Sequence, residues 1–469
     1  MAVSNKDLHD RIQAAFRHPF LRKAVRSATN TLRDRKAVVA HDLGHWQEWR
    51  AIGQQIRDHV VDNLDVYLKR FAANMARQGA QVHWASTGDD ALKIFLNIVD
   101  AHGAKLVLKS KSMVSEELHV NHVLEERGIR AVESDLGEYI IQLAGETPSH
   151  IIVPAIHKTR GEVAELFEQD SGEKQSPETA SLTRYARHKM RQMFFDASIG
   201  VSGCNFAVAD PGAISLFTNE GNGRLVTTTP PVHVVFMGME RIVPTFQELD
   251  VMAKLLPRSA TGQKITSYMS VIRGPAATDE SDGPKEMHII IVDNGRSRIL
   301  ANPKYREVLR CIRCGSCLNV CPVYRQVGGH TYGWVYSGPI GAVLTPLLQN
   351  ELKDWGETVN LTTLCGACTE ACPVRIPLHE MLIQLRLERT SQGYTPALEK
   401  TAFRLWSETW DKPTLYGLMM RAAAVGQFPF MKDGHLEGGP TPLSAWTNSR
   451  YFPPVAGRTF RQRWKRGEV

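Results

Sequence analysis

No uninterrupted apolar run approaching about 18 residues occurs in the chain, so no membrane-spanning helix is expected. The amino terminus also lacks the apolar stretch that a secretory signal needs. It is rich in arginine, as a transit peptide would be, but Asp7, Asp10 and Asp34 interrupt it, and it reads as mature, cytoplasmic protein. There is no G-x-G-x-x-G fingerprint and no visible flavin motif, so the sequence carries no signal for a nicotinamide or flavin site. Low-complexity tracts are absent, as is any recognised nucleic-acid-binding motif, and no nucleic-acid partner is expected. Cysteine is scarce over most of the length: of eight, seven fall between positions 311 and 372. In a short secreted chain an even count would imply disulfides. In 469 residues without a secretion signal, the crowding favours metal ligation.

What is present is an ordinary globular composition, 43% hydrophobic and 22% charged, long enough for two to four domains. The net charge of +7 is unevenly spread. Residues 1–40 hold nine Lys/Arg against three Asp/Glu, and residues 450–469 hold six against Glu468 alone, which leaves a slightly acidic middle. Basic ends on such a body suit an acidic partner protein or peripheral contact with an anionic membrane surface, the inner face for a cytoplasmic chain. Solvated terminal helices are the plainer alternative.

The first 60 residues read as a helical segment, and helical spacing continues through Ile56, Val60, Leu64, Leu68, Phe71 and Met75, so that residues 5–90 as a whole look helical. Asp89 is placed to cap a helix over Ala91–Val99. Short apolar strands then alternate with helices. Strand signals lie at Lys105–Lys109, Ile129–Glu133, His150–Ala155, within Gly200–Phe217, at Pro231–Gly238 and at Met287–Gly295. This alternation predicts an α/β domain over 61–300 with a mainly parallel sheet. Residues 301–395 read as an all-α module bearing the cysteines, and 396–469 as a Trp/Pro/Arg-rich segment with irregular GGPTPL and YFPPVAG stretches.

The cysteines form two motifs. The first, Cys311-x2-Cys314-x2-Cys317-x3-Cys321-Pro322, is the run of bacterial two-cluster ferredoxins. Two-residue spacings let three thiolates point at one cubane, and the small Gly315 and Ser316 let the backbone approach its sulfurs. In such runs the fourth cysteine serves the other cluster. The second motif, Cys365-x2-Cys368-x3-Cys372-Pro373, repeats the final spacings, but Thr362 stands where a leading cysteine would be. By the crossing rule, cluster one takes Cys311, Cys314, Cys317 and Cys372, and cluster two takes Cys321, Cys365 and Cys368. Cluster two then holds three irons, or four with a water or oxygen ligand, or four with a ligand from Thr362 or a partner. Arg310, Arg313 and Arg325 lie beside these ligands, placed to raise a potential or to meet a partner, with plain solvated basic residues as the equal alternative. Cys204 stands alone in an apolar strand pattern and reads as an inert buried thiol.

The stretches KSMVSEELHVNHVLEERGIRAVESDLGEYIIQLAGETPSHIIVPAIHK and NFAVADPGAISLFTNEGNGR resemble a lactate-utilisation domain. Followed by a module similar to alpha-helical ferredoxin domains and then a Trp-rich tail, the chain resembles the iron–sulfur subunits of three-component L-lactate oxidation systems. The resemblance implies a ribose-5-phosphate isomerase/CoA-transferase-like α/β fold and two four-iron clusters on the seven cysteines. It also implies L-lactate oxidation to pyruvate alongside a cysteine-rich subunit and a smaller lactate-utilisation-domain subunit, with a respiratory acceptor downstream.

In the α/β domain, Gly212, Asn219, Glu220, Gly221, Asn222 and Arg224 follow strand-like residues, and Lys109, Lys111 and Glu116 follow KLVLK. Loops at strand carboxyl ends are where open α/β sheets bind ligands. Lys109, Lys111, Glu116, Asn219, Glu220 and Arg224 are the candidate pocket for lactate or another carboxylate. Three functions compete: an electron-transfer subunit, a self-sufficient 2-hydroxy-acid oxidoreductase, and an iron- or oxygen-sensing regulator. Paired cysteine motifs favour the first two, because a sensor needs one cluster only.

Overall fold

The computed structural model describes residues 7–439, 443–447 and 450–469; the first six residues of the expected helical segment and Pro440–Pro442 of GGPTPL lie outside them. Two compact units divide the chain, one running to Arg389 and one from Thr390 to Val469.

The first unit opens on α1 (Leu8–Arg17), α2 (Leu21–Leu43), α3 (Trp46–Asp62) and α4 (Leu64–Arg77). Next come β1 (Gln81–Ala85), α5 (Gly88–Ala101), β2 (Leu106–Lys109), α6 (Met113–Glu117), α7 (Val120–Glu126), β3 (Arg130–Glu133), α8 (Leu136–Leu143), α9 (Arg160–Ser171), α10 (Thr179–Asp196) and β4 (Ile199–Ser202). They are followed by β5 (Phe206–Val208), β6 (Ala213–Thr218), α11 (Asn222–Thr228), β7 (Val232–Gly238), β8 (Ile242–Val243), α12 (Phe246–Ala260), β9 (Tyr268–Ile272) and β10 (Glu286–Val292). The cysteine-bearing part holds α13 (Arg296–Leu300), α14 (Ser316–Val320), α15 (Tyr324–Val327), α16 (Gly338–Gln349), α17 (Ala367–Ala371) and α18 (Leu378–Ser391).

A six-stranded sheet, ordered β1-β10-β7-β4-β2-β3, is parallel at every pairing, as the alternating pattern predicts. Helices cover it, so its inner strands are mostly apolar, and every residue of β7 is buried, His233 included. β2 pairs with β3 on one side and β4 on the other, so the strand order reverses there and leaves a crevice at the carboxyl ends of β2 and β4. Gly200 of β4 is required by close approach, since a Cβ there would lie 2.0 Å from the Val226 carbonyl of α11. A smaller mixed sheet, β8-β5-β6-β9, stands beside the first.

Three local expectations are corrected. Gln81–Ala85, inside the stretch read as helical, is an edge strand paired with β10. The helix after it starts at Gly88 and is capped by Thr87, whose side chain and that of Asp90 form a reciprocal box, so Asp89 is not the cap. His150–Ala155 is not a strand. There the His150 Nδ1 accepts the Ile152 N–H, its Nε2 meets Asn319, and Ile151 is buried against the cysteine-bearing part instead of the sheet.

The amino-terminal helices pack on chain some 300 residues away. α2 lies against α14 and α15, α3 against the 3-10 turn Arg306–Arg310, and α1 against the turn His330–Tyr332. A buried ion network joins the sheet to the cysteine-bearing part. Arg296 reaches Glu117 and Glu240, each at 2.7 Å, Glu117 also accepts the Tyr336 hydroxyl at 2.7 Å, and Arg313 meets Glu240 at 3.2 Å. Burial alone would raise the Glu240 carboxyl, but Arg296 and Arg313 overcome it and hold it down at about 2.

The second unit holds α19 (Ala397–Asp411), α20 (Pro413–Gly426), a short hairpin of β11 (Met431–Lys432) and β12 (His435–Leu436), α21 (Leu443–Thr447) and α22 (Phe460–Trp464). α19 and α20 pack on each other, yet neither buries a residue, and Trp406 and Trp410 remain more than half exposed.

Replacing Arg296 by Met removes the cation shared by two buried carboxylates and leaves Glu117 with no charged partner, while Glu240 keeps Arg313, a loss of about 3–5 kcal/mol. Chemical denaturation measures it. Because Glu240 and Glu117 are depressed in the folded state, the stability they contribute is present above the ordinary carboxyl value of 4.5 and is lost as pH falls from there towards about 2. An Arg296→Met chain as stable as the parent at pH 7 would contradict this account.

Candidate metal centre

The two cysteine motifs share one backbone design. Arg313 and Gly315 flank Cys314 at φ of 59° and 70°, and Leu364 and Gly366 flank Cys365 at 54° and 78°. These left-handed residues curl the chain around each sulfur and turn peptide N–H groups inward. The Arg313 N–H donates to Cys311 Sγ at 3.4 Å, that of Ile376 to Cys372 Sγ at 3.4 Å, and that of Tyr324 to Cys321 Sγ at 3.5 Å. Each motif then enters a short helix, α14 or α17, which pack together.

Cys311, Cys314, Cys317 and Cys372 line a single small cavity with Ile151, Ile340 and Pro373. Cys321, Cys365 and Cys368 are one another's electrostatic neighbours, and Cys317 faces Cys368 across the gap between the groups. The groups differ in exposure. Cys314, Cys317, Cys321, Cys368 and Cys372 are buried, whereas Cys365 is exposed. Burial lifts the Cys314 thiol to about 12, that of Cys368 to about 11, and that of Cys317 well above its ordinary value. Cys365 is shifted the other way, because the Thr363 hydroxyl and a backbone N–H donate to its sulfur. Thr362 does not lie idle in the absent cysteine's place: its hydroxyl accepts the Leu364 N–H at 3.0 Å.

Cations from distant elements bond to the segments that carry these cysteines. Lys36 of α2 donates to Ser316 Oγ at 2.7 Å and to the Ala371 carbonyl at 2.6 Å, which ties the first motif to the second. Burial pulls its ammonium down, while Cys314, Cys372 and Cys317 push it back up. Arg50 of α3 donates to the carbonyls of Cys372 and Thr369, and Arg241 to that of Cys311 at 2.9 Å. No local sequence pattern pointed to Lys36, Arg50 or Arg241, since each acts on residues 70 to 335 positions away. The three arginines noted beside the ligands are all engaged. Arg310 pairs with Asp58 and Glu307, Arg313 pairs with Glu240 and lies over Tyr336, and Arg325 bonds Asn30. Grouped soft donors, N–H groups aimed at sulfur and enclosing positive charge fit anionic iron–sulfur clusters.

Three comparisons bear on this site. A family model for the LUD domain matches residues 68–292, one for the 4Fe-4S dicluster domain matches 307–376, and one for the lactate utilisation protein B carboxyl-terminal region matches 387–469. The chain is 47% identical to lactate utilization protein B 2 of Bacillus mycoides (strain KBAB4), over 99% of this chain and 98% of that protein. The chain belongs to the lactate utilization protein B family. Lactate utilization protein B of Bacillus cereus (strain B4264) is 47% identical, and that of Bacillus thuringiensis (strain Al Hakam) 46%, over the same shares. Overlap with the crystal structure of a DUF162 family protein from Deinococcus radiodurans is slight, with a TM-score of 0.28 at 11% identity over 49% of this chain and 98% of that one. The protein is thus an iron–sulfur lactate-utilisation protein whose LUD domain precedes a helical ferredoxin-type domain, and its cofactors are 4Fe-4S clusters. Among the described residues no helix is long and apolar enough to cross a membrane.

Of the six candidate pocket residues, Lys109 meets Glu116 and Glu220 approaches Lys111, while Asn219 and Arg224 are engaged elsewhere. Lys109 is fully buried and paired with Glu116 at 3.0 Å, Glu133 at 2.5 Å and the Asn121 amide oxygen at 2.5 Å. Glu116 and Glu133 hold its ammonium above the ordinary range despite the cost of burial. Lys109 therefore cross-links β2, β3 and α6 and has no free donor for a substrate. Lys111 faces Glu138 at 3.4 Å. Asn219 is tied to Gln263 and to the Ser267 N–H, and Arg224 is exposed over the Tyr268 ring at 5.7 Å. Only Glu220 comes near the β2 loop, within electrostatic reach of Lys111 and Asp135. Cys204 is half-buried, and desolvation lifts its thiol to about 12.

Beside this crevice lies a cavity of about 570 Å3 lined by Glu116, Glu133, Glu138, His119, Glu146 and His157, among others. Burial lifts the Glu138 carboxyl to about 8, and Lys111 offsets only part of that. At pH 7 Glu138 should be mostly protonated. Infrared difference spectroscopy should show an acid C=O band that titrates near pH 8 and disappears in Glu138→Gln, and a band titrating near 4.5 instead would refute the buried-acid assignment.

Proposed function

We propose that this chain is the electron-transfer subunit of a multi-component assembly that oxidises L-lactate to pyruvate. The observation that carries the reading is the unequal pair of cysteine groups, one enclosed by cations beside the LUD sheet and the other reaching solvent at Cys365. When bound, a cluster takes up and gives up one electron at a time. Cys311, Cys314, Cys317 and Cys372 hold the inner cluster, and Cys321, Cys365 and Cys368 hold the outer one. Proximity of Cys317 to Cys368 supports a short path between them. Exposed Cys365 marks the face where electrons leave, and the fourth position of the outer site is filled from solvent. Lys36, Arg50 and Arg241 favour the reduced form of the inner site by offsetting its added negative charge.

The companions are a cysteine-rich subunit and a smaller LUD-domain subunit, with a respiratory acceptor downstream. The chain acts in the cytoplasm, and its basic ends serve as contacts to these partners or to the anionic inner face of the membrane. The isolated chain should therefore not oxidise lactate. A self-sufficient oxidoreductase is the second reading, favoured by the cavity beside Glu138. Lactate-dependent reduction of the purified chain alone would establish that reading over the first.

Two further outcomes are expected. Anaerobically prepared protein should hold roughly six to eight irons; Cys372→Ser should damage the inner cluster and Cys321→Ser the outer one, as read by EPR. Loss of the cluster held by Cys311, Cys314 and Cys317 in Cys321→Ser would refute the crossed assignment. Replacing Lys36 by Met should lower the inner potential by about 59 mV, a tenfold shift in the one-electron equilibrium. An unchanged potential with full iron content would remove Lys36 from this role.

A further inference from the structure

On the far side of the sheet from the crevice, two histidines and a glutamate converge where α5 ends and β10 begins. Glu286 and His288 are two residues apart on β10, so both side chains stand on one face of the sheet. His102 immediately follows α5, where it caps the helix. His102 Nε2 lies 3.3 Å from Glu286 Oε2, and His288 Nε2 lies 3.4 Å from the same oxygen. The three ligand atoms all fall within 4.8 Å of one another.

The spacing is informative. A charge-assisted hydrogen bond between imidazole and carboxylate closes to about 2.7–2.9 Å. Ligands held at about 2.0–2.1 Å around a tetrahedral zinc ion stand about 3.3 Å apart along each edge. His288 is only 5% exposed, and its buried Nε2 is aimed at the Glu286 carboxylate from 3.4 Å, too far for a well-closed hydrogen bond. Its other nitrogen is engaged: Nδ1 lies 3.1 Å from His83 Nε2 of β1. A metal on Nε2 places the His288 proton on Nδ1, from which it donates to His83, the arrangement by which second partners orient a ligating imidazole.

We propose that His102, Glu286 and His288 form a binding site for a zinc-like divalent cation, with a fourth position open to water or an external ligand. Three protein ligands with one open position is the ligation of catalytic rather than closed structural zinc. Glu286 and His102 are partly exposed, so the open position faces solvent. The bound ion also ties the carboxyl end of α5 to the amino end of β10. In a second cluster, Glu146, His157 and His330, the ligand-facing atoms already have partners, with His157 Nε2 2.6 Å from Glu146 Oε2. Lys158 Nζ lies 2.5 Å from Glu146 Oε1, and His330 Nε2 is bonded to the Thr147 carbonyl. That cluster serves as the control.

The test uses the full chain, prepared anaerobically with its iron–sulfur clusters intact, so that no cluster cysteine is free. After incubation with zinc chloride and gel filtration, zinc and iron are counted by mass spectrometry. One zinc per chain is expected, with iron unchanged. In competition with a chelating indicator, Glu286→Gln and His102→Ala should bind zinc at least tenfold more weakly, and Glu146→Gln should match the parent. X-ray absorption at the zinc edge of the parent protein should show nitrogen and oxygen neighbours only, a measurement that stands even if a variant fails to retain iron. No retained zinc, zinc gained as iron is lost, sulfur in the zinc shell, undiminished affinity in both site variants, or loss on Glu146→Gln would each overturn the proposal.

Discussion

Anionic sulfur is costly to hold away from water, and a protein that buries several such groups together must bring positive charge and hydrogen-bond donors to meet them. Five of the seven clustered cysteines are buried here. Their thiols in Cys314, Cys317 and Cys368 are raised far above the ordinary range, so the ionised form is stable only with cationic company. Bound iron is one source of that company, and the protein supplies the rest from Lys36, Arg50 and Arg241.

That requirement accounts for much of the architecture of the first unit. α2 and α3 are placed to deliver Lys36 and Arg50 to the space where the two motifs meet. Arg241, just after β7, binds the carbonyl of Cys311 and so couples the parallel sheet to the same place. Beside it, Glu240 balances Arg296 and Arg313, while Arg296 also reaches Glu117. The positive charge near the sulfurs is thus partly countered one layer further out. A single neutralising substitution at Arg296 would strip Glu117 of its cation and leave Glu240 to Arg313 alone.

Much of this was legible in the sequence because it is local. The spacings from Cys311 to Cys372 identify the cofactor, and short apolar runs such as PVHVVFMG and MHIIIVDNG mark inner strands of a parallel sheet. What was illegible is whatever depends on residues far apart in the chain. HIIVPA reads as a strand by composition, but its apolar side chains are buried against the cysteine-bearing part, and nothing nearby announces that partner. QVHWA was absorbed into a helical stretch because an edge strand shows only weak alternation. Lys109 looked like a substrate ligand after a strand, yet Glu116, Glu133 and Asn121 leave it no free donor. The ammonium that matters most to the sulfurs, Lys36, sits in a helix with no distinguishing pattern at all.

The packing of α1, α2 and α3 on residues 306–332 has a bearing on how the chain is made. A ribosome releases these helices first, but their partners emerge only after the whole LUD domain, and Cys372 later still. Until then α2, whose Leu21, Val25 and Leu32 are buried in the finished protein, lacks α14 and α15, two of the helices it packs against. Such a long interval between segments that must meet is slow to close and exposes sticky surface meanwhile. Metal insertion cannot be completed on the nascent chain before both ends of this arrangement are present. The protein should therefore depend on chaperone shelter during synthesis more than a sequence-local ferredoxin of equal cysteine content, and shortening its amino terminus should be felt first as failed cluster assembly.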